Sequence, residues 1–222
     1  MDGLTETATL TRSNLVNGDF PLVHKPFTIL SGRSLLRGAV LGLVLLGAPT
    51  VEADEGNTGG GTLTLAETPL GSLAQLGDYA VKCIAEAANG GTFAVFAPDG
   101  TRLADAVVGV AYVSDHVNFT IADVGEDFDV DDLFTITVPA GSGKAVKCVK
   151  TAVDGSQRPV AILAEPVDAT EEDVEGPGYV SGQFDPTELD LTGTGFTAAT
   201  LAAAFRDKPI FLRASTGAPA QG

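Results

Sequence analysis

The sequence contains no tryptophan, one methionine, two histidines and two cysteines. Each shortage removes a class of chemistry. His24 and His116 stand far apart, and neither has a cysteine, glutamate or second histidine beside it, so no zinc site is expected. Cys83 and Cys148 form neither a CxxC motif nor a disulfide framework, and read as two small buried thiols. Bases are scarce as well: 13 Lys and Arg against 29 Asp and Glu give a net charge of −16. Nucleic acids and anionic membranes are held through Lys and Arg, so neither is expected as a partner. Long apolar runs are missing. The most apolar stretch, residues 39–48 (AVLGLVLLGA), is far shorter than the ~20 residues of a spanning helix and holds two glycines. It reads as one or two buried strands. The opening MDGLTETATLTR is polar and acidic at its start, not a basic segment leading into an apolar one, so no secretory signal is expected in it.

What the chain does have is glycine (27), proline (12) and enough hydrophobic residues (44%) to bury a core. That mixture favours short strands and many turns. The charge is uneven. Residues 1–53 are neutral, with four acids and four bases; residues 54–139 carry 14 acids against Lys82 and Arg102; residues 140–222 carry 11 acids and seven bases. The texture changes at the same places. Residues 1–20 show no sustained period and read as a flexible arm, ordered only when something binds it. Strands follow at 22–30 and 35–46, then a linker at 47–61 (GAPTVEADEGNTGGG). Beyond it, strands at 79–85, 92–96, 107–112, 117–121 and 133–138 are separated by turns such as Asn89-Gly90-Gly91 and Pro98-Asp99-Gly100, the pattern of a small β-sandwich. Residues 139–143 (PAGSG) read as a second flexible joint. Residues 160–163 form another strand, the acidic run 171–175 a surface loop, 196–205 (FTAATLAAAF) the one helix, ended by Pro209, and 210–212 a last strand. The expected architecture is therefore mainly β. A discontinuous unit, residues 21–53 plus 140–222, is interrupted by an acidic β-sandwich at 54–139.

Catalytic patterns are absent. No serine lies in a G-x-S-x-G context, Gly143-Lys144 lacks the rest of a phosphate loop, and Gly193-Thr194-Gly195 fails the dinucleotide pattern. Residues 123–132 (DVGEDFDVDD) would place Asp127, Asp129 and Asp131 on one face of an extended segment, which raises a calcium reading. Counted from Asp127, however, the positions that need Gly and Glu hold Asp132 and Val138. A solvated acidic edge is the simpler expectation. With 29 acids, paired carboxylates diagnose nothing, and no enzyme activity or cofactor is expected.

Three groups of residues do point to a family. Phe20-Pro21-Leu22-Val23 followed by Ser31-Gly32-Arg33-Ser34-Leu35-Leu36-Arg37-Gly38-Ala39-Val40-Leu41-Gly42 resembles the opening of the lambda-type head decoration proteins of tailed phages. Asp154-Gly155-Ser156-Gln157, with Val160-Ala161-Ile162-Leu163 and Val167-Asp168-Ala169, resembles the family's second half, and residues 205–213 its C-terminal region. The middle of the chain, with Asn89-Gly90-Gly91-Thr92-Phe93 and Phe134-Thr135-Ile136-Thr137-Val138, resembles an extra domain that some members carry. The chain departs from the family in the acidity of 123–132 and in Lys147-Cys148-Val149-Lys150.

The resemblance implies an α+β decoration unit that forms homotrimers on the outer surface of an expanded capsid in the virion, assembled in the host cytoplasm. Its partner would be the major capsid protein, and its role the stabilisation of the head against packaged DNA. It also implies an N-terminal arm that pairs with the capsid, which makes Leu10, Leu15, Val16, Phe20, Pro21 and Leu22 the expected contacts. The other function weighed is a carbohydrate- or cell-surface-binding module carried by the sandwich, which would need exposed aromatic side chains.

Overall fold

The computed structural model describes residues 14–214. About 46% of the chain is strand and 5% helix, so the fold is mainly β. In chain order the strands are β1 (Val23–Ile29), β2 (Arg33–Leu35), β3 (Val40–Leu43), β4 (Thr50–Ala53), β5 (Thr62–Leu70), β6 (Gly77–Ala87), β7 (Gly90–Phe96), β8 (Ala106–Val107), β9 (Ala111–Tyr112), β10 (Val117–Ala122), β11 (Leu133–Val138), β12 (Ala145–Lys147), β13 (Pro159–Leu163), β14 (Val167–Ala169), β15 (Val174–Phe184) and β16 (Ile210–Leu212). A 3-10 turn at Pro186–Glu188 and one helix, α1 (Ala198–Ala204), lie between the last two. The chain divides into two compact units. The first is built from both ends, Met1–Leu41 and Pro159–Gly222; the second is Gly42–Arg158.

The first unit is organised around β15. Along one side β1 pairs with it antiparallel, from Ile29↔Val174 to Val23↔Ser181. β13 pairs antiparallel through Ile162↔Tyr179, and β16 joins parallel from Gly182↔Ile210 to Phe184↔Leu212. A separate ribbon joins β2 to β14. The sequence VEGPGYVSGQF gave no strand signal, and its first two residues fall in the stretch expected to be a surface loop. Its glycines and proline depress β propensity. Packing explains them. A Cβ at Gly178 would lie 2.7 Å from the Phe27 ring, and one at Gly176 2.5 Å from Val167 Cγ2, so neighbouring side chains lie directly on the strand backbone. Pro177 stands opposite Pro26. The Ala164 N–H donates to the Pro177 carbonyl at 2.8 Å, so at this pair the polar groups of β15 point away from β1 and the missing N–H costs that ladder nothing. The helix forms where the Ala-rich run is expected, closed at its start by a capping box between Thr197 and Thr200 and anchored by buried Leu201 and Phe205.

The second unit is a β-sandwich. One antiparallel sheet has the order β5-β10-β9 and the other β4-β11-β6-β7-β8. Alternate residues of β10 (Val117, Phe119, Ile121) and β11 (Phe134, Ile136, Val138) are buried, and with Tyr79, Val81, Phe93 and Val95 they form a single core. The unit takes in residues 42–53 and 140–158 as well as the expected 54–139. The stretch 47–61 is not a free linker, because β4 runs through it and pairs with β11. Its glycines serve close approach: a Cβ at Gly59 would lie 2.5 Å from the buried ring of Phe128. The expected joint at 139–143 is also tied down. Gly47 N–H donates to the Pro139 carbonyl (2.8 Å), Gly141 N–H to Leu45 (2.8 Å), and Leu45 and Leu46 N–H both to Asp154 (2.8 and 2.9 Å). The two ends of the second unit are therefore hydrogen-bonded side by side.

Two glycine substitutions separate close approach from backbone conformation. Gly178→Ala is expected to destabilise by about 1–3 kcal/mol through overpacking against Phe27. Gly100→Ala, at φ +83° with nothing within 4 Å, is expected to cost only about 1 kcal/mol. Urea unfolding of the two variants checks the order.

Candidate functional site

The expected contact residues lie on the first unit, and the structure sorts them into two kinds. Leu10 falls outside the described residues. Leu15 is fully buried, and its carbonyl accepts from Asp185 N–H at 2.9 Å. Val16 makes an antiparallel bridge to Phe184, and Asn17 N–H donates to the Gln183 carbonyl at 2.8 Å. The Pro21 carbonyl accepts from the Ser181 hydroxyl. From residue 14 onward, then, the chain is laid along β15, and Leu15, Val16 and Pro21 hold it there. Phe20 and Leu22 are different, being 39% and 40% exposed.

Two further residues join them that the sequence reading did not single out. Val23 is 46% exposed, and Phe211 of β16 is 48% exposed, its ring set edge-on to Phe20 at 4.9 Å. The available signal for Phe211 was strand alternation: Ile210 points inward and is buried, so its neighbour must point out. The two described ends of the chain meet here. Arg213 N–H donates to the Phe184 carbonyl at 2.9 Å, and the Asn17 side-chain amide donates to the Arg213 carbonyl at 2.7 Å.

The acidic run of the second unit is bound into the fold at both of its inward-turning residues. Phe128 is fully buried against Phe93 (5.0 Å) and Phe134 (5.9 Å). Asp132 is also buried, and its carboxylate accepts from the N–H groups of Thr58 (2.9 Å), Gly59 (2.9 Å) and Asp129 (3.1 Å) and from the Thr58 hydroxyl (3.1 Å). Burial works to raise this carboxyl, but the four hydrogen bonds outweigh it and hold the group below its usual value. Asp127 accepts from Asn89 N–H, and Asp131 pairs with Lys82 at the surface. No group of three or more His, Cys, Asp or Glu is placed to hold a metal ion among the described residues. Every described Phe and Tyr of this unit is buried or half-buried, so no aromatic platform for sugars is exposed on it.

The sequence matches the family described as "HDPD: Bacteriophage lambda head decoration protein D" over residues 4–209. The chain belongs to this family. None of the curated proteins matches it. Among solved structures, two crystal forms of Xanthomonas campestris FlgL match at 20% and 19% identity, each with a TM-score of 0.31. They take in 49% and 53% of this chain, which spans only about a third of FlgL (34% and 32%). That likeness is too slight to bear on fold or function.

The protein is thus a phage head decoration protein, a structural component that binds the capsid and belongs to the virion. In this decoration protein both cysteines are buried and unpaired. Burial pushes the Cys148 thiol up to about 12 and raises Cys83 as well. Neither is expected to react with a thiol reagent at pH 8 until urea unfolds the second unit, and a titration of accessible thiols against denaturant checks this.

Asp132→Asn is expected to destabilise the same unit by about 1–3 kcal/mol at pH 7, since the charge-assisted bonds are lost. Because the folded carboxyl sits below its ordinary 3.8, its contribution is complete above that pH and is lost as pH falls through the folded value. Unfolding curves of variant and wild type should therefore converge in acid.

Proposed function

We propose that this protein trimerises on the outer surface of the expanded head and cements neighbouring capsid subunits against the outward pressure of packaged DNA. The observation that carries the reading, beyond family membership, is the anchoring of residues 15–22 along β15. Whatever binds the first residues of the chain is thereby coupled to the central strand of the first unit. Pairing of an extended arm with the capsid needs mostly main-chain hydrogen bonds, so a polar arm containing Leu10 suffices. Three arms on one trimer would raise the strength of attachment through effective concentration. A ligand that binds only the assembled shell stabilises that shell by mass action.

In this reading residues 54–139 are an inserted module directed to solvent, where their 14 acids limit association between particles. The hydrogen-bonded ends of the second unit suit an insertion, because a module whose ends lie together interrupts its host least.

Light scattering of the full chain, alone and then with expanded, DNA-free capsids lacking decoration, tests the proposal. The expected outcome is a trimer, or a monomer that becomes trimeric on the shell, saturating at a fixed number of copies. Absence of binding to any expanded capsid from its own phage would overturn it.

A further inference from the structure

The patch formed by Phe20, Leu22, Val23 and Phe211 has a rim whose charge runs against that of the rest of the protein. The chain has more than twice as many acids as bases, yet Arg206, Lys208 and Arg213 fall within eight residues that hold one acid, Asp207. Arg206 and Lys208 line a shallow hollow of about 280 Å³ together with Phe211, and Arg213 follows β16 directly. None of the three makes an ion pair among the described residues, although 29 carboxylates are available in the sequence. Asp19, beside Phe20, is the other acid near the patch in sequence. An aromatic centre with an arginine-rich rim is the composition of a protein–protein contact. Four large apolar side chains left in water also call for a cover.

We infer that this patch docks directly on the capsid, against an acidic part of the capsid protein's outer surface, as a second contact beside the N-terminal arm. The inference rests on the decoration reading above. Geometry supports the choice of occupant. Thirteen residues precede the first described one, and a fully extended chain of that length reaches roughly 45 Å. The arm starts at Asn14, next to Leu15 and Val16 on β15, and the patch lies on the same strand's neighbours. A surface that receives so short an arm is therefore held within reach of the patch. Unpaired cations then fit a partner with carboxylates, and fit poorly a second copy of a chain whose net charge is −16.

The experiment measures affinity of the full-length protein for expanded, undecorated capsids by co-sedimentation at 50 mM and 500 mM salt. Three proteins are compared: wild type, Phe20→Ser with Phe211→Ser, and Lys208→Glu with Arg213→Glu. Light scattering and thermal melting establish that each variant keeps the wild-type fold and mass.

The aromatic pair is expected to bind about tenfold more weakly at both salts. The charge pair should bind about tenfold more weakly at 50 mM, with the gap narrowing at 500 mM. Hydrogen exchange of the unaltered protein should slow at residues 208–213 on the capsid, a readout that depends on no variant folding. Variants that saturate capsids like wild type, with no slowed exchange, would overturn the inference and leave the arm as the whole attachment. Loss of the oligomer with capsid affinity retained would assign the patch to contact between copies, and also overturn it. Failure of the wild type to bind removes the decoration reading itself, and this inference with it.

Discussion

The pairing of β1 with β15 is the constraint on which the first unit depends. Its two pieces, Met1–Leu41 and Pro159–Gly222, meet only after the whole of the second unit has been traversed. Closing an unstructured loop of that length costs about 4 kcal/mol beyond the constant term. A folded second unit removes most of that cost, because the bonds from Leu45 and Leu46 to Asp154 and from Gly47 to Pro139 already bring its ends together. Seven consecutive positions of β1 then align with β15, and the strand's remaining length takes β13, β16 and the Val16 bridge. One strand thus gathers the N-terminal segment, the C-terminal strand and the interior of the unit.

Much of this was legible in the sequence, and the exceptions have a common cause. The sandwich strands β7, β10 and β11 were visible because alternating apolar residues and Gly or Asn turns state their pattern locally. The helix was visible because alanine and a threonine cap act within a few residues. β15 was hidden because its glycines answer to Phe27 and Val167, residues distant in the chain. The run 47–61 misled in the same way: glycines that accommodate the Phe128 ring look, in one dimension, like glycines that confer freedom. Of the candidate site, the apolar positions at 15–22 were named from sequence, but the division between Leu15, which holds the fold, and Phe20, which faces water, belongs to tertiary structure. Phe211 joins Phe20 only because β16 lies parallel to β15.

The acidic character of the protein resolves into different tasks once burial is known. Asp132 is structural, since its carboxylate ties residues 58–59 to the strand that follows it, and Asp127 does the same for the Asn89 turn. Asp131 pairs with Lys82 where both are largely exposed, an arrangement that contributes little to stability. The remaining surface acids act through their number, as a field around the particle. Against that field the Arg206, Lys208 and Arg213 group marks the face of the first unit that is electrostatically unlike its surroundings.

Phe184 has a described end of the chain on either side of it, Val16 across one edge and Leu212 across the other, with Asn17 reaching to Arg213. Topologically the polypeptide is almost a ring, and where that ring is cut is incidental to its hydrogen bonds. A chain joined across these ends and opened instead in the exposed turn at 171–173 would retain every strand pairing of the first unit. Its new termini would leave from that turn, and the old ones would become a single loop beside Phe184.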